Sequence, residues 1–214
     1  MRLGEITRNA LAGLGFMLLA AGLSAAEVSL EVVSKPLVPR PLAGGDSYAI
    51  ELSADGRWAA FISSGNAIVT NDQNGLKLDV FLRDLQTGDT TLISRATNGA
   101  SASGDSSWAL ISADGRFVVF QSDAGDLVEG DENEGDDVFI YDHVEGTLEI
   151  LTQNGLGGRN GSAALIAITS DARFILFESE SDDYVETDEN EGVALFLLDR
   201  QTGEVVLLTS AAGT

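Results

Sequence analysis

The side chains in this sequence best spaced for chemistry are oxygen donors, and the chemistry they suit is binding a hard cation. Asp72, Asn74 and Asp79 lie on one short segment, and Asp131, Asn133, Asp136 and Asp137 on another. Alternating Asp and Asn oxygens on a tight turn can converge on Ca²⁺, which takes about six to eight oxygen ligands. Asp72, Asn74, Asp79, Asp131, Asn133 and Asp137 therefore form the candidate metal set, with Ca²⁺ as the candidate ion and no cofactor required. The spacing is not that of an EF-hand loop, whose closing Glu is missing. A third segment keeps Asp188 and Asn190 but has Val193-Ala194 where the later acid belongs. The competing reading is structural: Asp and Asn close their own turns through Asx hydrogen bonds.

Catalytic chemistry is poorly supplied. Gly45-Asp46-Ser47 and Gly104-Asp105-Ser106 have the order of an esterase nucleophile motif, but a serine nucleophile needs a base. The single histidine, His143, sits where two other segments carry Leu85 and Arg200, and it is expected as an exposed turn residue. Gly161-Ser162-Ala163 breaks the tripeptide in its third occurrence, as a turn would tolerate. Adjacent carboxylates such as Asp136/Asp137 and Asp182/Asp183 are expected by chance in so acidic a chain. No glycine-rich phosphate loop opens a helix. The chain is therefore read as non-enzymatic.

The elements that must position these residues come from an internal repeat. LSADGRWAAFIS (52–63), ISADGRFVVFQS (111–122) and ITSDARFILFES (168–179) align. Each is followed by a segment ending in DVFLRD (79–84), DVFIYD (137–142) or ALFLLD (194–199), and then TTLIS (90–94), LEILT (148–152) or VVLLT (205–209). Asp55, Asp114 and Asp171 mark the register at spacings of 59 and 57 residues. With YAIELS (48–53), WALIS (108–112) and ALIAIT (164–169) in front, each copy reads as four short strands bounded by Gly, Asp and Asn. Trp58/Phe61, Phe117/Phe120 and Phe174/Phe177 are three apart, which puts the two rings of each pair on opposite faces of a strand. A sheet apolar on both faces must be sandwiched between neighbours. Asp55-Gly56 and Asp114-Gly115 supply turns, and Ala172 in the third copy must take a left-handed conformation at a cost of about 1–2 kcal/mol.

The pattern S-A-D-G-R-W/F-x-x-F, then D-x-N-x-x-x-D-V-F, then D-x-x-T-G resembles the TolB-like and WD40-like propeller repeats of bacterial exported proteins. The resemblance covers nearly all of residues 44 to 210. It implies an all-β fold of the β-propeller type: three four-stranded antiparallel blades forming an incomplete, open propeller. The expected boundaries are blade 1 at 44–98, blade 2 at 99–155 and blade 3 at 156–214. Residues 27–43 are expected to hold the strand of an incomplete blade, because Val32-Val33-Ser34 aligns with a fourth strand. Three blades cannot close a ring, since propellers use about four to eight. Two explanations stand: a truncated piece of a longer propeller, or a homodimer completing a six-bladed ring.

Residues 1–26 have the form of a cleaved signal peptide, with Arg2 and Arg8, an apolar run over 10–23 and Ser24-Ala25-Ala26. The expected location is the bacterial periplasm or exterior, with no membrane insertion after cleavage. The formal net charge of −22 argues against nucleic acid, whose phosphates need basic patches, and suits cations or basic partners. The functional expectation is an exported propeller module that binds a protein or a small ligand as a scaffold. The alternatives are an accessory propeller domain of a larger exported hydrolase and a calcium-stabilised structural surface protein.

Overall fold

The computed structural model describes residues 45–131, 135–152, 162–181, 183–185 and 192–209. The expected signal peptide and the strand at Val32–Ser34 lie outside the described residues, as do Asn133, Asp182, Asp188 and Asn190.

Twelve strands form three four-stranded antiparallel sheets, each in simple up-and-down order. Blade 1 holds β1 (Ser47–Leu52), β2 (Trp58–Ser63), β3 (Asp79–Asp84) and β4 (Thr90–Leu92). Blade 2 holds β5 (Ser106–Ile111), β6 (Phe117–Ser122), β7 (Asp137–Asp142) and β8 (Thr147–Ile150). Blade 3 holds β9 (Ala163–Ile168), β10 (Phe174–Ser179), β11 (Ala194–Asp199) and β12 (Glu204–Leu207). The third strands match the sequence expectation residue for residue. The fourth strands are shorter than expected, yet Ile93 N–H still reaches Val80 O at 2.9 Å, Leu151 N–H Val138 O at 2.7 Å and Leu208 N–H Leu195 O at 2.8 Å.

The opposite-face argument holds in the core. One cluster joins Ala60, Ile62, Val80 and Leu82 of blade 1 to Val118, Phe120, Phe139 and Tyr141 of blade 2. A second joins Val119, Val138 and Ile140 of blade 2 to Ile175, Phe177, Phe196 and Leu198 of blade 3. Blade 2 thus spends alternate residues of one strand on two different neighbours. Each blade also stacks a pair of phenylalanines from its second and third strands, Phe61/Phe81, Phe120/Phe139 and Phe177/Phe196, at 5.4, 5.7 and 5.3 Å between ring centroids. Burying each such ring stabilises by about 1.5–3 kcal/mol.

One turn is built three times. Ser53 Oγ donates to Asp55 Oδ1 at 2.6 Å, Arg57 N–H donates to the same oxygen at 3.0 Å, and Trp58 N–H donates to Ser53 Oγ at 3.0 Å. Ser112/Asp114/Arg116 and Thr169/Asp171/Arg173 repeat it. The arginine then reaches the last residue of its blade's third strand: Arg57–Asp84 at 2.8 Å, Arg116–Asp142 at 2.6 Å and Arg173–Asp199 at 2.7 Å. Backbone bonds tie each turn to the next, with Ala54 N–H on Ala113 O and Ala113 N–H on Ser170 O. Ala172 does take the left-handed conformation, at φ 51°. Its methyl is fully buried in the cluster that Phe117 packs against. At the matching Gly115 the preceding blade offers Trp58 instead, and a Cβ there would collide with the indole.

Candidate functional site

Acidic residues stand at both ends of the third strands, and those singled out by spacing lie at only one of them. At the turn end of each blade the carboxylates are fully engaged. Asp84 takes Arg57 on Oδ2, and Gln86 N–H and Thr87 N–H on Oδ1 at 2.8 and 3.3 Å. Arg57 and these N–H groups hold its carboxyl below the usual carboxylate range. Asp84 thus closes its own turn through Asx hydrogen bonds.

At the other end of blade 1 the surroundings differ. Asp79 opens β3, and Asp72 and Asn74 stand on the β2–β3 loop. Asp79 is 0% exposed and Asp72 is 3% exposed. Ser94 Oγ donates to Asp79 Oδ1 at 2.7 Å and itself accepts Val80 N–H at 3.0 Å. Asn74 lies beside the two carboxylates and partly offsets the effect of burial on each. Its Nδ2 also donates to Ala102 O at 3.0 Å, which ties the loop to the linker before blade 2. After these bonds Asp72 Oδ1, Asn74 Oδ1 and Asp79 Oδ2 remain buried with no hydrogen-bond partner. Burial pushes Asp79 up to about 7, with the neighbouring charge of Asp72 adding to it, and burial pushes Asp72 up to about 6.

Blade 2 repeats the frame: Thr152 Oγ1 donates to Asp137 Oδ1 at 2.7 Å and accepts Val138 N–H at 3.0 Å. Asp131 takes the loop place of Asp72, and Asn133 lies outside the described residues. In blade 3 Ala194 stands in the place of Asp79, and Thr209 Oγ1 accepts Leu195 N–H at 3.2 Å with no carboxylate to serve. Among the described residues no group of three or more His, Cys, Asp or Glu side chains is arranged to hold a metal. The blade 1 set is two carboxylates and an amide.

The serines and the histidine are far from a shared task. Ser47 Oγ and Ser106 Oγ donate to Ser63 Oγ and Ser122 Oγ, both at 3.0 Å, bridging first and second strands. His143 is not the exposed turn residue expected. It is half-buried and stacks on Trp58 of the preceding blade at 4.2 Å between ring centroids. Burial holds its imidazole below the ordinary range. Arg200 makes the matching contact over Phe117 at 4.6 Å. The position after the third strand therefore serves as an interblade clasp. The signal was its variation among Leu85, His143 and Arg200 opposite a constant aromatic.

A second site was missed by sequence reasoning. The first strand of every blade is bulged: β1 between Tyr48 and Glu51, β5 between Ser107 and Leu110, and β9 opposite Leu176/Phe177. Ala49 and Trp108 occupy two of these bulges with positive φ, 43° and 53°. Such a conformation is an outlier for a bulky residue, and strain of this kind concentrates at functional sites. Trp108 is 59% exposed despite its size. It lines an open, largely apolar cleft of about 620 Å³ with Tyr48, Glu51, Ser107, Leu110 and Ile166, all from first strands. That volume is in the range of small-ligand sites. The sequence signal was a Trp in a register where the first copy carries Ala49.

This is a chain of the β-propeller type, built of successive four-stranded blades packed face to face. Among solved structures it is similar to TolB from Acinetobacter baumannii, at 18% identity and a TM-score of 0.46, covering 78% of this chain and 33% of that one. It is similar to the tricorn protease at 18% identity and a TM-score of 0.43, covering 79% and 16%. It is also similar to an oligogalacturonate lyase in complex with manganese at 14% identity and a TM-score of 0.44, covering 73% and 37%. The chain spans well under half the length of each. No family model matches the sequence, and no curated protein matches it.

Proposed function

We propose that this chain is an exported, non-catalytic propeller module whose first-strand cleft binds a basic peptide segment through an apolar or aromatic side chain. The observation that carries the reading is Trp108, a large aromatic held exposed and in a strained backbone conformation at the lip of an apolar cleft. The net charge of −22 selects basic over acidic partners. The amino-terminal signal pattern supports the periplasm or exterior as the place of work. Trp58 and Trp108 are the chain's two tryptophans, so Trp58→Phe leaves Trp108 as the sole reporter. A lysine-rich peptide bearing Phe or Leu should shift the emission of that variant, and Trp108→Ala should abolish binding. Equal binding of the matching glutamate-rich peptide, or binding unaffected by Trp108→Ala, would overturn the reading.

A second reading is favoured by the free face of blade 3. Ile166, Val206 and Leu208 are 38, 43 and 49% exposed. Among the described residues, Ser170 N–H has no backbone partner where Ala54 N–H and Ala113 N–H reach the next blade. On the far side of blade 1 Ala59, Phe61 and Phe81 are fully buried, while Leu52, paired with Ala59, is 55% exposed. The free face of blade 3 supports a further blade seated on it, as in an accessory propeller of a larger protein. Interchain cross-linking tests it: a link between blade 1 of one chain and blade 3 of another would restore the ring.

A further inference from the structure

We infer that the loop end of blade 1 is a weak Ca²⁺ site formed by Asp72 Oδ1, Asn74 Oδ1 and Asp79 Oδ2. An acidic segment alone would not carry this, because most carboxylates here close turns. The separating observation is that these three oxygens are buried and have no hydrogen-bond partner, although Asn74 Nδ2 and Asp79 Oδ1 are bonded. A native fold leaves few buried polar atoms unsatisfied, and each costs roughly what a lost hydrogen bond costs. Partners outside the set fix its orientation: Ala102 O holds the Asn74 amide, and Ser94 holds Asp79. Asn74 Nδ2 donates to Ala102 O, and the amide oxygen, an acceptor only, is buried with no donor.

The missing group must therefore be an electrophile that serves several oxygens at once. A cation with all-oxygen ligation fits that description, and a water, with two protons, would satisfy at most two of the three. Two carboxylates and one amide supply only part of the shell that Ca²⁺ wants, and solvent supplies the rest. Mg²⁺ holds its waters tightly and demands a strict octahedron, so it fits such a partial set less well. The low charge count places the affinity in the class of extracellular modules, with Kd about 10⁻⁴–10⁻³ M. Blade 3, with Ala194 in the register of Asp79, lacks the deepest ligand.

The test uses the whole chain after chelator treatment, titrated with Ca²⁺ by calorimetry and followed by thermal melting. Binding at that affinity raises Tm by roughly 3–10 °C at about 10 mM Ca²⁺. Asp79→Asn and Asp72→Asn should each remove one equivalent of binding heat and most of the shift, while circular dichroism confirms that both variants fold. Three results would overturn the inference: no heat and no shift in the unaltered chain, an unchanged heat in both variants, or an equal response to Mg²⁺.

Discussion

Strand β3 carries an aspartate at each end, and the two have opposite surroundings. Asp84, its last residue, meets Arg57 and two backbone N–H groups, and its carboxyl is held below the ordinary range. Asp79, its first residue, is completely buried, shares its pocket with a second carboxylate, keeps one oxygen unpartnered and is pushed up to about 7. Strand β7 also carries an acid at each end, the buried Asp137, which accepts from Thr152 Oγ1, and Asp142, which meets Arg116. Strand β11 keeps Asp199 but replaces the first acid by Ala194. The difference separates two uses of acidity in one chain. Carboxylates at the turn end are architecture and occur in every blade. At the loop end of blade 1 the carboxylates are buried and pushed up by that burial, and blade 3 does without the first of them.

The comparison is broken most directly at its architectural end. Asp84→Ala removes the acceptor of Arg57, Gln86 N–H and Thr87 N–H together. A loss of about 2–3 kcal/mol is expected from urea unfolding. A loss under about 0.5 kcal/mol would mean that these bonds are as dispensable as ordinary surface pairs.

Acid should act on the same end. Asp199 is lowered to about 2, first of all by Arg173. Burial is the largest single influence on Asp142 and works upward, but Arg116 and the N–H groups of Glu145 and Val144 together outweigh it. A carboxyl lowered in the folded state binds fewer protons there than in the unfolded chain. Its stabilisation is present above the unfolded value of 3.8 and fades as pH falls through the folded value. The unfolding midpoint should therefore drop between about pH 4 and pH 2. Asp199→Asn should flatten part of that limb and leave the midpoint near neutrality lower. An acid limb identical in this variant would remove the turn-end carboxylates as its cause.

The sequence made the turn end legible and the loop end only half so. Ser-x-Asp-x-Arg followed by an aromatic is a local code, because Asp55 finds its partners within two residues and the register of Arg57 to Asp84 follows from the hairpin. The third strands β3 and β7 were readable because both faces of each are buried between two acids, and β11 because it keeps the apolar run and the closing Asp199. The bulges of β1 and β5 were not readable. Ala49 and Trp108 have no local reason to take positive φ, and the strain is carried by the pairing of residues on either side. His143 escaped for a related reason, since its partner Trp58 lies in another blade. At the loop end, spacing named Asp72, Asn74 and Asp79. It had no way to say which of their oxygens would be satisfied, because Ser94 and Ala102 settle that from a distance in sequence.

The smallest expected effect has the most unusual sign. Near pH 8, above the value of about 7 for Asp79, the chelator-treated protein holds an ionised carboxylate in a fully buried position beside Asp72. Asp79→Asn keeps the shape and the acceptor for Ser94 Oγ, removes the charge and adds a donor next to two unpartnered oxygens. The variant should therefore be more stable than the natural chain by about 1 kcal/mol without calcium. With saturating calcium the order should reverse, because only the natural chain gains the binding free energy. Asp84→Ala should destabilise equally in both conditions. If Asp79→Asn lowers stability in chelator as Asp84→Ala does, the two ends of β3 are alike, and the loop carboxylates belong to the architecture after all.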